Sequence, residues 1–308
     1  MHTYITDRAE TGAIWPALPF DQWKETCETL HMWTQIVGKV RLALSPYVNH
    51  WWQVPLYITA RGLTTSPIPY EHDHAIFEVD FDFIDHNLLI LTSDGEIKTM
   101  PLIPRSVASF YQEFLASLRS LGIEVTLNPV PCEVKHPIPF DLDLTHDSYD
   151  PVYAHRFWRV LMQTNNVFKH HRSRFIGKSS PSHFFWGSFD LALTFFSGRP
   201  APERQGVDRI TREAYSHEVI SCGFWPGNED FPTPAFYSYV APAPLGLESA
   251  VIRPAKAFYS ADMGEFLLRY DDMRTASSPE QALLEFCQST YEAEANLAQW
   301  DRASLERH

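Results

Sequence analysis

The sequence has few cysteines and no paired ones. Cys27, Cys132, Cys222 and Cys287 lie far apart, so no Cys-x-x-Cys pair or zinc-binding spacing is present. This pattern favours the reduced thiols of a cytoplasmic protein. The segment Met1–Thr11 is polar and has no apolar signal core. No stretch approaches the ~20 apolar residues of a membrane helix. We therefore expect a cytoplasmic protein that does not enter a membrane.

Basic residues are also scarce, with 25 Lys and Arg against 38 Asp and Glu and a formal net charge of −13. A surface that follows a phosphate backbone needs clustered cations, and only the stretch from Lys169 to Lys178 approaches this. The composition thus argues against general nucleic-acid binding. The sequence also lacks a glycine-rich phosphate loop, a Gly-x-Ser-x-Gly elbow, a His-Glu-x-x-His pair and a dinucleotide fingerprint. The substrate, the reaction and the oligomeric state are therefore left open.

Apolar and aromatic residues are abundant, with 44% hydrophobic residues that include 21 Phe, 13 Tyr and 9 Trp. A large core is the simplest use for them, and an aromatic-lined pocket is the alternative. Apolar residues from Trp23 to Leu44 recur at helical spacing, with Asp21 as the expected cap and Ser45-Pro46 as the stop. The run Phe77–Phe83 alternates between apolar and acidic residues, which predicts a half-buried strand. Helices and antiparallel strands together indicate the α+β class.

The second half of the chain repeats features of the first. A second helix is predicted from Asp150-Pro151 to Ser180-Pro181, and Trp158 aligns with Trp23. The step His50-Trp51-Trp52 then aligns with His183-Phe184-Phe185. We interpret this as two pseudo-twofold-related repeats, each a helix, three or four strands and a helix. The alternative is a chance match between two amphipathic helices.

The predicted domain limits follow from this duplication. They are a first repeat over residues 1–124, a Pro- and Asp-rich connector over 125–150, and a second repeat with long loops over 151–308. Because the second repeat carries the longer loops and the additional polar residues, we expect the functional site to be there.

Histidines and carboxylates in the second repeat are the candidates for chemistry. Along a strand, neighbouring residues point to opposite faces, so His183 does not share a face with Asp190, and His217 does not share one with Glu218. Across an antiparallel pair, His217 could lie beside His183. Two imidazoles and a carboxylate would suit a divalent metal ion. The predicted catalytic residues are thus His183, His217, Glu218 and Asp190, and the predicted metal ligands are His183, His217 and Glu218. The simpler alternative is that the histidine only caps a corner of the fold.

Further residues are candidates for ligand binding. Lys39, Arg41 and Lys178 lie near the predicted helix ends, where they could contact an anion or only complement the helix dipole. Trp186 and Trp225 are the expected aromatic walls of a cleft, and His50 is the first-repeat counterpart of His183. Together these residues suggest an enzyme that acts on a small molecule, with a divalent metal as the cofactor to test for. A non-catalytic protein that binds a small ligand or a partner is the alternative.

Four segments carry a resemblance to a known family: Leu30–Lys39, Asn49–Trp52, His183–Asp190 and Ser216–Ser221. Together they resemble a bacterial family known only as domain of unknown function 5996. The resemblance extends over nearly the whole chain. It implies one natural unit without implying an activity, a cofactor or a substrate. Phe195 departs from the pattern, since a basic residue would be expected there.

Overall fold

The computed structural model describes residues 13–70 and 74–307, and the segment Met1–Thr11 lies outside these ranges. Within them the chain forms seven helices and two antiparallel sheets of six strands each, which confirms the α+β class. The helices are α1 (Phe20–Leu44), α2 (Val107–Ser120), α3 (Pro151–Arg172), α4 (Arg209–Ala214), α5 (Tyr270–Arg274), α6 (Pro279–Leu297) and α7 (Arg302–Leu305).

The two longest strands, β8 and β9, lie in the second half of the chain. They are β1 (Tyr57–Ile58), β2 (Gly62–Thr64), β3 (Ile68–Tyr70), β4 (Ala75–Asp82), β5 (Asn87–Thr92), β6 (Ile97–Pro101), β7 (His183–Phe185), β8 (Asp190–Pro200), β9 (His217–Trp225), β10 (Ala235–Ala241), β11 (Phe258–Ser260) and β12 (Glu265–Arg269). The first sheet has the order β1-β2-β4-β5-β6, with β3 paired to β4, and the second has the order β11-β12-β10-β9-β8-β7.

The described residues divide into two compact units. The first contains the described residues up to Tyr47 together with Trp52–Met162 and Phe184–Phe189, and the second contains Val48–Trp51, Gln163–His183 and the described residues from Asp190 onward. None of the helices in the described ranges is both long enough and apolar enough to cross a membrane. All four cysteines are free thiols.

The core of the first unit joins α1 to α2 through stacked aromatic rings. The indole of Trp33 lies on Phe110, with ring centroids 4.7 Å apart and an interplanar angle of 9°, and both side chains are fully buried. Helix α1 ends before Ser45, as predicted, but its N-cap is Pro19 rather than Asp21. Asp21 already lies in the first helical turn, where an acidic side chain complements the helix dipole.

The alternation predicted for β4 is confirmed over most of the strand, since Phe77, Val79 and Phe81 are all buried. The pattern ends at Asp82, which is buried as well. Its carboxylate accepts a hydrogen bond of 2.8 Å from Arg61 Nε. The ion pair offsets the cost of burying this carboxylate.

The second unit places α6 against one face of its sheet. Phe286 on α6 is fully buried, and Glu294 on the same helix accepts a hydrogen bond of 2.8 Å from Ser238 Oγ on β10. Glu294 is completely buried, and this burial raises the pKa of its carboxyl group well above the usual range. Burial therefore favours the protonated form of Glu294 in the core.

The internal duplication is not confirmed. Helix α3 ends at Arg172, well before the predicted stop at Ser180-Pro181, whereas α1 ends at its own Ser-Pro step. The aligned aromatic steps also differ in backbone conformation. His50 and Trp51 occupy a turn with φ values of 59° and 61°, whereas His183–Phe185 is extended strand. Local sequence similarity here does not carry over into similar local structure.

The stacking of Trp33 on Phe110 leads to a stability prediction. Phe110→Ala should lower the free energy of unfolding by about 3–5 kcal/mol, because it removes a buried ring and leaves a cavity. Urea denaturation followed by fluorescence will measure the change. Gln112→Ala, at an exposed position of the same helix, is the control and should change it by less than about 0.5 kcal/mol. A Phe110→Ala protein as stable as this control would contradict the packing described.

Candidate functional site

The register of the second sheet decides which polar side chains meet. On β9, Ser221 lies opposite Tyr239 of β10 and Gly223 lies opposite Tyr237. On the other side of β9, Ser221 lies opposite Thr194 of β8. Because alternate residues share a face, one face carries the following side chains: Asp190, Ala192, Thr194, Phe196, His217, Val219, Ser221, Gly223, Tyr237 and Tyr239. Helix α6 covers the other face. We call the face opposite α6 the polar face.

His50 lies over the end of the polar face. Its ring centroid is 4.6 Å from that of Phe196. Its Nδ1 is 3.1 Å from the carbonyl oxygen of Ala214, and its Nε2 is 2.7 Å from Lys178 Nζ. A carbonyl oxygen only accepts hydrogen bonds, so Nδ1 carries the proton and donates. Nε2 of the neutral ring then accepts a hydrogen bond from Lys178.

His217 completes this group from the start of β9. Its ring meets the ring of His50 edge-on, with centroids 5.7 Å apart. Its Nδ1 lies 3.1 Å from Ser216 Oγ. Lys178 Nζ lies 4.9 Å from the centre of the Phe196 ring. We call Lys178, His50 and His217 the basic triad.

Desolvation disfavours the charged forms of both His50 and Lys178. Desolvation lowers the pKa of His50, and the neighbouring Lys178 lowers it further. Desolvation also lowers the pKa of Lys178. A direct hydrogen bond between an amine and an imidazole is also a path along which a proton can pass. This arrangement can therefore hold or move a proton between the amine and the imidazole.

A second polar group occupies the middle of the polar face. The Tyr237 hydroxyl donates a short hydrogen bond to Asp190 Oδ2. The ring of Tyr237 lies over Gly223, at the place that a β-carbon would occupy. Desolvation raises the pKa of Tyr237, and the Asp190 carboxylate raises it further. Tyr237 thus remains a hydrogen-bond donor to Asp190.

Glu265 at the start of β12 belongs to the same group. Desolvation raises its pKa to about 7, and the nearby Asp190 contributes to the increase. Tyr239 is linked to Tyr215 by a hydroxyl–hydroxyl contact of 2.7 Å. The guanidinium of Arg204 lies 3.8 Å from the centre of the Tyr215 ring. Because Tyr215 follows Ala214 directly, this group and the basic triad are adjacent.

Glu218 points away from the polar face, as the alternation on β9 predicted. It accepts hydrogen bonds of 2.8 Å from Ser197 Oγ and from Arg199 Nε. Arg199 also donates to the carbonyl oxygens of Ala298 and Gln299 beyond the end of α6. A cleft beside Glu218 is lined mainly by small and proline side chains: Val240, Ala241, Pro242, Ala243, Pro244, Leu297, Ala298, Gln299 and Trp300. Glu218 is thus an anchor for these segments and not a partner of His217.

The other predicted site residues make other contacts. His183 is a buried residue of β7. Trp186 belongs to the first unit, where it is buried against Gly38 and donates a hydrogen bond of 2.8 Å to the carbonyl oxygen of Val54. Trp225 stacks on Phe231, with ring centroids 5.9 Å apart. Trp186 therefore serves the packing of the first unit.

Lys39 and Arg41 are buried in the first unit and bind backbone carbonyls there. Lys39 Nζ donates a hydrogen bond of 2.9 Å to Val130, and Arg41 donates to Pro55 and lies over the Tyr57 ring. Desolvation lowers the pKa of both cations. Their hydrogen bonds satisfy loop carbonyls, so these residues stabilise the irregular segments that follow α1 and α2.

A metal centre finds no support in the side-chain geometry. Over residues 13–70 and 74–307, no group of three or more His, Cys, Asp or Glu side chains could hold a metal ion. His183, His217 and Glu218 accordingly do not form the predicted ligand set. His217 instead meets His50, and Glu218 binds Arg199.

Sequence reasoning did not identify Tyr237 and Glu265. The signal for Tyr237 was present in the alternation of Ala235–Ala241, which places Tyr237 and Tyr239 on one face of β10. Glu265 had no comparable signal, because its raised pKa depends on burial and on the proximity of Asp190 and not on its neighbours in the sequence. Such a residue is visible only after the strands have been paired.

The contact between Lys178 and His50 predicts a change in the pKa of His50. Replacing Lys178 with Met removes a nearby cation that disfavours the imidazolium form, so the pKa of His50 should rise. NMR titration of the histidine ring signals will measure this, with His50→Gln identifying the resonance. Lys169→Met, at an exposed lysine, should leave the pKa of His50 unchanged. An equal pKa in the Lys178→Met and wild-type proteins would exclude the contact.

Glu265 predicts a specific pH dependence of stability. Its pKa of about 7 in the folded chain exceeds the usual 4.5, so the folded state binds more protons between these pH values. The free energy of unfolding should therefore fall as pH rises through this window, by at most about 1.4 kcal/mol per pH unit from this group.

Glu265→Gln should remove this contribution. The free energy of unfolding should then fall less between pH 4 and pH 8 than it does in the wild-type protein. Urea denaturation across this range will measure the slope. Glu248→Gln, at an exposed position of the same unit, is the control and should keep the wild-type slope. An unchanged slope in Glu265→Gln would show that this carboxyl group does not titrate as described.

The comparisons with known proteins concern the whole chain. No curated protein and no solved structure matches it significantly. A family model described as a family of unknown function, DUF5996, matches residues 15–307, and this range includes the basic triad, Asp190 and Glu265. The chain therefore belongs to the DUF5996 family of unknown function.

Proposed function

We propose that this chain is an enzyme that acts on a small molecule, with the basic triad as its acid–base centre. One observation carries the proposal: Lys178 Nζ lies 2.7 Å from His50 Nε2. Ion pairs with carboxylates are the common use of lysine in a fold. A lysine that donates to an imidazole can instead pass a proton to it, which is the elementary step of general acid–base catalysis.

The orientation of His50 supports this role. Its Nδ1 is held by the carbonyl of Ala214, as a catalytic base is held by a third group in nucleophile–base pairs. The turn that carries His50 has left-handed backbone conformations at two successive residues, which are costly for residues with side chains. Strain of this kind is often retained where the position of a side chain matters for function.

Asp190 and Glu265 supply the carboxyl groups of the proposed site, in place of the predicted Glu218. Both lie in the group beside the basic triad. Glu265, with its pKa of about 7, can act as a general acid or base at neutral pH. We propose that His217 supplies the second imidazole of the acid–base centre and that Lys178 and His50 also contact the ligand. We assign no role in this site to His183.

A non-catalytic binding protein is the second candidate. Two nearly fully exposed apolar side chains in one loop, Leu245 at 96% and Val251 at 92%, favour contact with a partner. In this alternative the basic triad would bind an anion without converting it. We propose a bacterial, cytoplasmic setting for either function, in agreement with the separate, free cysteines.

Incubation with a protein-free metabolite extract tests the proposed function. Mass spectrometry should show at least one metabolite converted to a product by the wild-type protein, with a rate reduced by about 100-fold or more in Lys178→Met and in His217→Gln. Lys169→Met should retain the wild-type rate. A metabolite retained unchanged on the protein would favour the binding function. Equal conversion by Lys178→Met would contradict the assignment of the centre.

A further inference from the structure

We propose that Lys178 is a covalent nucleophile that forms an imine with a small carbonyl compound, because its Nζ lies within hydrogen-bonding distance of a fixed imidazole above the Phe196 ring. This inference rests on the proposed function and adds the chemical step and the substrate class. A lysine amine can attack a carbonyl carbon once it has lost its ammonium proton. The surroundings of Lys178 favour that loss.

The ring of Phe196 beneath the amine is the first feature that favours loss of the ammonium proton. Phe196 is buried, and Lys178 Nζ lies 4.9 Å from its ring centre. His50 covers the same ring at a centroid distance of 4.6 Å. Water is therefore displaced from part of the surface around the amine, and desolvation lowers the pKa of Lys178. Contact of an amine with an apolar surface disfavours its ammonium form, which is a general way to activate a lysine nucleophile.

The fixed imidazole is the second contribution. With its proton on Nδ1, His50 presents the lone pair of Nε2 to Lys178, at 2.7 Å. It can take a proton from nitrogen as the new bond forms and then return it to the substrate oxygen. His217, with its ring 5.7 Å from that of His50, is the second imidazole available for the proton transfers.

The proposed step balances without an oxidant or a reductant. The nitrogen lone pair of Lys178 forms a bond to the carbonyl carbon, and the carbonyl π pair moves to oxygen. One proton passes from nitrogen to that oxygen, which gives a carbinolamine. Protonation of its hydroxyl group releases water, and loss of the second nitrogen proton leaves the C=N bond of the imine.

Three other lysines, Lys39, Lys169 and Lys256, differ from Lys178 in their described contacts. Lys39 donates to a backbone carbonyl in the first unit. Lys256 is exposed and lies 4.0 Å from the carboxylate of Asp272. Lys169 is exposed at the end of α3. Lys178 is exposed as well, but its amine has an adjacent imidazole and an aromatic ring beneath it, so it should react faster than these lysines.

Neighbouring cations indicate the substrate class. Arg204 lies over the ring of Tyr215, the residue that follows the carbonyl partner of His50. Arg209 lies 5.6 Å from the ring centre of Trp51, the residue that follows His50, but its Nε already donates a hydrogen bond of 2.8 Å to Glu213, which leaves Arg204 as the carboxylate contact we propose. Guanidinium groups bind carboxylates in a planar, two-pronged geometry. We therefore assign the substrate to small oxo acids, which carry a carbonyl group next to a carboxylate.

Reductive trapping tests the imine directly, with glyoxylate as the probe and sodium cyanoborohydride as the reductant. Peptide mapping of the folded wild-type protein at neutral pH should show Lys178 modified at least about tenfold faster than Lys169, as expected for an amine assisted by a general base. His50→Gln should bring the rate at Lys178 close to that at Lys169. Lys178→Arg should lose this modification and leave the rate at Lys169 unchanged.

Circular dichroism will establish that each variant is folded before rates are compared. Modification of Lys178 no faster than that of Lys169 in the wild-type protein would overturn the inference. Fast modification of Lys178 that persists in folded His50→Gln would overturn the role of the imidazole.

The two proposals fail in distinguishable ways. If metabolite conversion depends on Lys178 but no adduct is trapped there, the acid–base centre stands and the imine is wrong. If Lys178 is trapped selectively but no metabolite conversion depends on it, the imine chemistry stands and the proposed enzyme function is wrong.

Discussion

The antiparallel register of β8, β9 and β10 is the constraint on which the candidate site depends. A shift of one residue would exchange the two faces of a strand, and His217 would then point to the side of α6 while Glu218 joined the polar face. The packing of α6 opposes such a shift. The face of the sheet that α6 covers must present apolar side chains, together with Ser238 for its hydrogen bond to Glu294. The position of the polar residues is therefore set by the hydrophobic core behind them.

The sequence predicted those features that follow from local periodicity. The α+β class, the alternation of β4 and the opposite directions of His217 and Glu218 all depend on the two-residue period of a strand. The imidazole partner of His217 was predicted to be His183, but it is His50. Periodicity could not reveal this, because His50 lies in a left-handed turn that is far from His217 in the sequence. Contacts between residues so far apart are decided by tertiary packing.

Cations near helix ends illustrate a second limit of local patterns. Lys39, Arg41 and Lys178 looked alike in the sequence, and all three were candidates for binding an anion. Lys39 and Arg41 donate hydrogen bonds to backbone carbonyls of irregular segments. Among the described residues, these carbonyls have no partner in a helix or sheet, so side-chain donors satisfy them. Only the pairing of Lys178 with an imidazole distinguishes it. The chemical environment of a lysine therefore matters more here than its position on a helix.

The absence of a side chain at Gly223 has a consequence for variation among related chains. The ring of Tyr237 lies in the space that a β-carbon would fill. Even alanine there would push the ring outward and separate its hydroxyl group from Asp190, although residues 190 and 237 themselves were unchanged. A relative could thus keep every polar residue of the site and still lose their connection through one added methyl group. The residue at position 223 therefore indicates, without any assay, which relatives retain the hydrogen bond between residues 237 and 190.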